Sequence, residues 1–231
     1  MTPVEVDEPT FRHRLRPAMS RCNVFLAQTL LVLCSYLLLL YLPSSSSPSS
    51  LRLHTLSIFG AIYIVRLNYM ARCLLPRDLG MAEITFVSLV WIPSILASFA
   101  IPSALTDPPP PPLSVPNCIL SIFFYVLGSW LNTFSEYQRK LWKSLPSSAG
   151  RCYTLGLFSL SRNINYFGEV VLFAAWAAAT PAWWNVWVPV LMGLIFVFHH
   201  IPDKEKYLLS KYGEEFGDYQ KNVKSFVPFL F

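Results

Sequence analysis

Residues 22–42 read CNVFLAQTLLVLCSYLLLLYL, without one charged side chain. A bilayer core about 30 Å thick needs about 20 helical residues to cross it. This run supplies them before Pro43 and the serine run Ser44–Ser50 stop it. Backbone N–H and C=O groups in lipid must be bonded within the chain, so the run is expected as a membrane helix. Working outward, five further apolar runs follow: about Leu53–Tyr69, Met81–Ile101 (ended by Pro102), Cys118–Phe134, the short Ile164–Ala179 (ended by Thr180 and Pro181) and Trp183–His199. The fold class read from them is an all-α membrane protein with about six transmembrane helices.

The composition agrees. Of 231 residues, 54% are hydrophobic and 13% charged, against about a quarter charged in a soluble domain. The first 21 residues are polar and the run behind them is of spanning length, so no cleavable signal is expected. The net charge of +5 is scattered, which argues against a nucleic-acid face.

Charge sets the orientation, because Lys and Arg concentrate in cytosolic loops. With a cytosolic N-terminus and six spans, one side collects Arg12, Arg14, Arg16 and Arg21, then Arg72 and Arg77, then Arg139, Lys140, Lys143, Arg151 and Arg162, then Lys204, Lys206, Lys211, Lys221 and Lys224. The other side holds Arg52 alone. Both termini are therefore expected in the cytosol. The lumenal connector containing Pro108–Pro112 is expected as stiff polyproline. Cys22, Cys34, Cys73, Cys118 and Cys152 lack paired spacing, so neither a disulfide framework nor a zinc site is expected. His199 and His200 are adjacent and would not converge on one ion, so no metal is expected.

Polar groups within the runs gather at one depth, by the cytosol: Arg66, Asn68, Glu83, Asn132, Glu136, Asn165, Glu169, His199 and His200. Ionisable groups inside spans are costly and mark functional sites; polar helix ends are the ordinary alternative. A cytosol-facing cavity would account for them. Asn165 and Glu169 are four apart and share a helix face. Arg139 and Lys143 do the same, on a helix end suited to phosphate or to positive-inside anchoring.

The stretch Gly156–Glu169 (GLFSLSRNINYFGE) resembles a signature of the steroid 5-alpha-reductase superfamily, including its sterol- and enone-reductase-like and DUF1295-like members. The Glu136–Lys143 segment is similar to that family's cofactor stretch. Lys211-Tyr212-Gly213, Tyr219, Val223 and Val227-Pro228-Phe229 are similar to its ending. The resemblance implies a membrane-embedded, NADPH-dependent reductase of a carbon–carbon double bond in a lipid, sterol or enone. It implies cofactor contacts from Glu136, Arg139, Lys140, Lys143, Arg162, Asn165, Tyr166, Glu169, His199, Asp203 and Tyr207. Glu83 is the nominated catalytic acid, with Tyr69 or Tyr63 as its tyrosine. One integral membrane domain, 1–231, is expected: a cytosolic segment 1–21, substrate-side helices 22–134 and a cofactor-binding half 135–231. The expected setting is a monomer in the endoplasmic reticulum membrane, its partners the bilayer and a hydrophobic small molecule (sterol, enone or polyprenoid). Two other readings stay open: an S-adenosylmethionine-dependent isoprenylcysteine-type carboxyl methyltransferase, and a non-catalytic lipid-binding relative. The His-Pro pair of many relatives is absent at Asn163-Ile164.

Overall fold

The structure, a computed structural model, describes residues 8–41, 50–75, 79–104 and 111–231, with side chains from 21–41, 51–75, 79–103 and 111–231. The side chains of Arg12, Arg14 and Arg16, together with Arg77, Ser44–Ser49 and Pro108–Pro110, lie outside the described residues, and with them part of the charge test and most of the proline connector. Among the described residues the regular structure is helical: α1 (Glu8–Tyr41), α2 (Ser50–Tyr69), α3 (Met81–Phe86), α4 (Ile92–Ala104), α5 (Val115–Lys143), α6 (Ile164–Ala179), α7 (Trp187–Ile195), α8 (Ile201–Tyr212) and α9 (Glu214–Asn222). Four stretches are long and apolar enough to cross a membrane: Arg21–Tyr41, Met81–Ser103, Val115–Lys143 and Trp183–Tyr212. The chain is an integral membrane protein. Of the two other expected spans, Ile164–Ala179 is apolar but shorter. Ser50–Tyr69 carries Arg52, His54, Arg66 and Asn68, and Arg52, Arg66 and Asn68 are buried inside the protein.

Several helices outrun the apolar runs that announced them. α5 continues past Phe134 to Lys143 because Glu136, Arg139 and Lys140 are good helix formers, and Ser144 and Pro146 close it. It begins where Ser114 caps it, the hydroxyl accepting from the Asn117 N–H at 3.4 Å. The last long rod continues from α7 into α8, beyond His199. α4 contains Pro102 and ends at Ala104. Three π-helical turns interrupt the rods, at Met70–Leu74, Val87–Trp91 and Phe196–His200. Two follow from prolines. Pro93 and Pro202 have no N–H, so the carbonyls of Leu89 and Phe198, four residues back, lose their α-helical partners.

One indole organises the core. Trp176 is fully buried and meets Tyr36 of α1, Phe59 and Tyr63 of α2, Phe99 of α4, Tyr125 of α5 and Phe173 of its own helix, with ring centroids 5.0–6.3 Å apart. The buried phenols need acceptors. Tyr36 donates to the Leu56 carbonyl at 3.0 Å and Tyr125 to that of Phe59 at 2.6 Å.

α5 and α6 touch backbone to backbone. A Cβ at Gly128 would stand 2.5 Å from the Leu172 nitrogen and 2.6 Å from the Gly168 oxygen; one at Gly168 would stand 2.6 Å from the Asn132 nitrogen. Only glycine fits either position. Small residues at such a contact are how membrane helices gain van der Waals packing when lipid offers no hydrophobic drive.

Gly168→Ala is expected to destabilise the detergent-solubilised protein by about 1–3 kcal/mol, the usual cost of overpacking. Gly217→Ala, where a Cβ would meet nothing within 4 Å, is expected to leave the thermal midpoint unchanged or raise it. Differential scanning fluorimetry of both variants checks the contrast.

Candidate functional site

The glycine contact fixes what stands beside it. One turn along α5 from Gly128 comes Asn132, then Glu136; Asn165 and Glu169 flank Gly168 on α6. Asn132 donates to the Asn165 carbonyl at 2.9 Å, and Asn165 Nδ2 donates to Glu136 Oε1 at 2.9 Å. Glu136 Oε2 accepts from Arg139 Nε at 2.8 Å. From α2, Arg66 donates to Asn132 Oδ1 at 2.6 Å and pairs with Glu169 at 3.0 Å. Arg66 and Glu169 are 7% and 13% exposed, so this charge pair is inside the protein. Its guanidinium carbon also lies 5.4 Å from the Tyr63 ring. Three helices thus share one hydrogen-bonded network. It leaves two buried atoms without a partner, Arg66 Nε and Asn165 Oδ1.

The network forms one wall of a cavity of about 560 Å³, within the size range of ligand sites. Its polar lining is Arg66, Glu83, Asn132, Glu136, Arg139, Asn165, Tyr166, Glu169, His200, Lys204 and Tyr207. Its apolar side comes mainly from Phe25, Leu67, Leu79, Ile84 and Val87. All three π-helical turns reach this cavity, through Met70, Ala71 and Leu74, through Val87, and through Phe196 and His200. Such turns are rare and concentrate at functional sites. Tyr166 and Phe196 stack on each other at 4.5 Å, with His200 5.8 Å from Phe196, and all three give the cavity an aromatic lining.

Of the residues nominated from sequence, the cavity brings together Glu83, Glu136, Arg139, Asn165, Tyr166, Glu169 and Tyr207. Tyr69 is 41% exposed at the end of α2 and does not line it. Tyr63 is buried in the Trp176 cluster. Lys140 donates to the Cys73 carbonyl; Lys143 donates to the Arg151 carbonyl at 2.5 Å and to the Tyr212 hydroxyl at 3.0 Å. Arg162 clamps the C-terminal segment, pairing with Glu205 at 2.9 Å and donating to the Gln220 carbonyl at 3.0 Å. His199 and Asp203 are exposed and face each other at 3.5 Å; the cavity takes His200 and Lys204, one residue further on. In the sequence Arg66, Asn132 and His200 belong to the polar group that a cytosol-facing cavity would explain, without individual roles, and Lys204 reads only as a cytosolic basic residue. For Arg66 and Asn132 the signal was their cost inside an apolar run. His200 is marked by its place at the end of the last run; Lys204 has no such signal, because it lies beyond the apolar run that stops at His199.

Among the described residues no group of three or more His, Cys, Asp or Glu side chains is arranged to hold a metal ion. Outside the spans, burial pushes the Cys152 thiol up, with Glu215 adding to the shift. Burial likewise raises the Tyr219 hydroxyl, which donates to the Phe158 carbonyl at 2.5 Å. Neither group is poised as an ionised nucleophile near neutral pH.

Residues 77–223 match the family described as "Protein of unknown function (DUF1295)". Curated relatives include the 3-oxo-5-alpha-steroid 4-dehydrogenase 2 of Rattus norvegicus, 27% identical over 48% of this chain and 41% of that protein. The Homo sapiens protein of the same name is 27% identical over 48% of this chain and 42% of its own. The Delta(14)-sterol reductase of Schizosaccharomyces pombe is 24% identical over 64% of this chain and 38% of its own. The chain thus spans about two fifths of the length of these relatives. The likeness is consistent with the steroid 5-alpha-reductase superfamily.

Arg66→Met is expected to cost about 3–5 kcal/mol, because it leaves the Glu169 carboxylate buried and unpaired. The double variant Arg66→Met/Glu169→Leu is expected to recover most of that loss. Unfolding titrations in mixed micelles measure both.

Proposed function

The chain belongs to the DUF1295 family, and from that premise we propose that it is a membrane-embedded, NADPH-dependent reductase of a carbon–carbon double bond in a lipid, sterol or enone. The observation that carries the reading is Asn165. Its amide nitrogen is tied to Glu136, while its Oδ1 is buried without a partner in the wall of the cavity. A ligand with an amide N–H would complete it, and the carboxamide of a nicotinamide offers one. The stacked pair Tyr166 and Phe196 lines the same cavity, an aromatic surface that suits a planar ring. The residues present therefore fit the nicotinamide end of the cofactor, and Asn165, with Glu136 fixing its orientation, would hold it.

NADPH, when bound, supplies the hydride. The chain's own part is orientation, exclusion of water and the proton. Glu169, Arg66, Asn132, Asn165 and Glu136 are linked in that order by bonds from three helices, so the wall is set before a ligand arrives. Phe25, Leu67, Leu79, Ile84 and Val87 give the cavity an apolar surface for a hydrophobic substrate. Glu83 lines the same space and is the carboxyl group we assign to polarise a conjugated carbonyl or to give a proton to the second alkene carbon. Cytosolic termini, about six spans and residence in the endoplasmic reticulum membrane belong to the same proposal.

In the purified protein NADPH is expected to raise the thermal midpoint. Asn165→Ala is expected to weaken that binding about tenfold, the loss of roughly one good hydrogen bond. Glu83→Gln is expected to keep cofactor affinity and lose enone reduction. A midpoint raised by S-adenosylmethionine and not by NADPH would overturn the reading.

A further inference from the structure

Lys204 stands in the cavity wall on the first turn of α8. Its ammonium donates one hydrogen bond, to Asn163 Oδ1 at 2.9 Å, and lies 5.0 Å from the Tyr166 ring centroid and 5.6 Å from that of Phe158. An ammonium has three donors. Both partners it reaches beyond that single amide are neutral rings, and a ring face does not replace a counter-charge.

The carboxylates near it are committed elsewhere. Glu205 takes Arg162 at 2.9 Å, Gln220 at 3.0 Å and Ser225 at 3.2 Å. Glu136 takes Arg139 and Asn165. Asp203 turns out toward His199. Every other cation that the basic end of α5 offers is also engaged: Arg139 by Glu136, Lys140 by the Cys73 carbonyl, Lys143 by the Arg151 carbonyl and Tyr212. Glu136 and Glu205 therefore act on the ammonium only at a distance; a cation held in a cavity wall without an ion pair of its own is costly, and an anionic ligand removes that cost.

We propose that Lys204 is the residue by which this cavity selects a phosphate-bearing ligand, taking a phosphate oxygen on the ammonium between Asn163 and Tyr166. In terms of the function proposed above, on which this rests, Lys204 binds the phosphate next to the nicotinamide ribose. The charge-assisted bond it forms is the main reason a phosphorylated nicotinamide binds better than an unphosphorylated one.

The test uses four probes on the purified full chain in lipid nanodiscs: NADPH, reduced nicotinamide mononucleotide, reduced nicotinamide riboside (which lacks phosphate) and inorganic pyrophosphate. Nanodiscs with and without phosphatidic acid separate lipid phosphate from soluble phosphate. Wild type is expected to prefer the mononucleotide to the riboside, and Lys204→Gln to weaken NADPH and mononucleotide binding by about tenfold or more while riboside binding stays unchanged. Lys204→Arg is expected to restore most of the difference. A purely structural lysine would lower all affinities together, which would overturn the proposal. NADPH affinity unaltered in Lys204→Gln would overturn it and leave the reductase reading standing. Should nicotinamides fail to bind while pyrophosphate or phosphatidic acid stabilises the wild type and not Lys204→Gln, the phosphate assignment holds and the reductase reading falls. No Lys204-dependent response to any phosphate-bearing probe would overturn the assignment.

Discussion

The backbone contact between α5 and α6 at Gly128 and Gly168 is the constraint on which the rest depends. With a Cβ at either position meeting backbone atoms 2.5–2.7 Å away, any larger residue would push the helices apart. The bonds from Asn132 to the Asn165 carbonyl and from Asn165 to Glu136, each 2.9 Å, would then open. Two glycines without chemistry of their own thus set the spacing of four polar side chains.

Burying those side chains in a membrane protein is expensive, and the structure meets the cost in two ways. Arg66 and Glu169 neutralise each other, and Asn132 takes a further Arg66 N–H. The Trp176 cluster packs side chains of α1, α2, α4, α5 and α6 against one another, which holds the helices that carry the pair together. Breaking one partner of such a pair costs far more than the pair contributes, which makes the network a device for geometry more than for stability. What it leaves incomplete is informative: Asn165 and Lys204 both line the same cavity, the first with a buried oxygen short of a donor and the second with an ammonium that has no ion pair of its own.

Much of this was legible in the sequence, and the gaps have physical causes. Apolar run length announced the membrane helices, since lipid leaves the backbone no alternative. The i, i+4 spacing put Asn165 and Glu169 on one face. What sequence could not supply was pairing across helices: Arg66 with Glu169 are 103 residues apart, and each alone reads as an ordinary polar helix end. Run length also stops where apolar residues stop, whereas helices do not; α5 and α8 carry Arg139 and Lys204 beyond that point. The one-residue offset from His199 and Asp203 to His200 and Lys204 fits the π-helical turn at Phe196–His200. That turn adds a residue and rotates the following face, and it comes from Pro202, which the apolar pattern ignores.

The measurement closest to the central claim is transfer of label. NADPH carrying deuterium at the transferable position of its nicotinamide would be incubated with the purified protein in nanodiscs and a cellular lipid extract, and the lipids analysed by mass spectrometry. The account predicts that a lipid gains one deuterium and one hydrogen across a former double bond, with a matching amount of NADP⁺ formed. NADPH that binds but leaves every lipid unlabelled would contradict it, and would make the cavity a binding site without reductase chemistry.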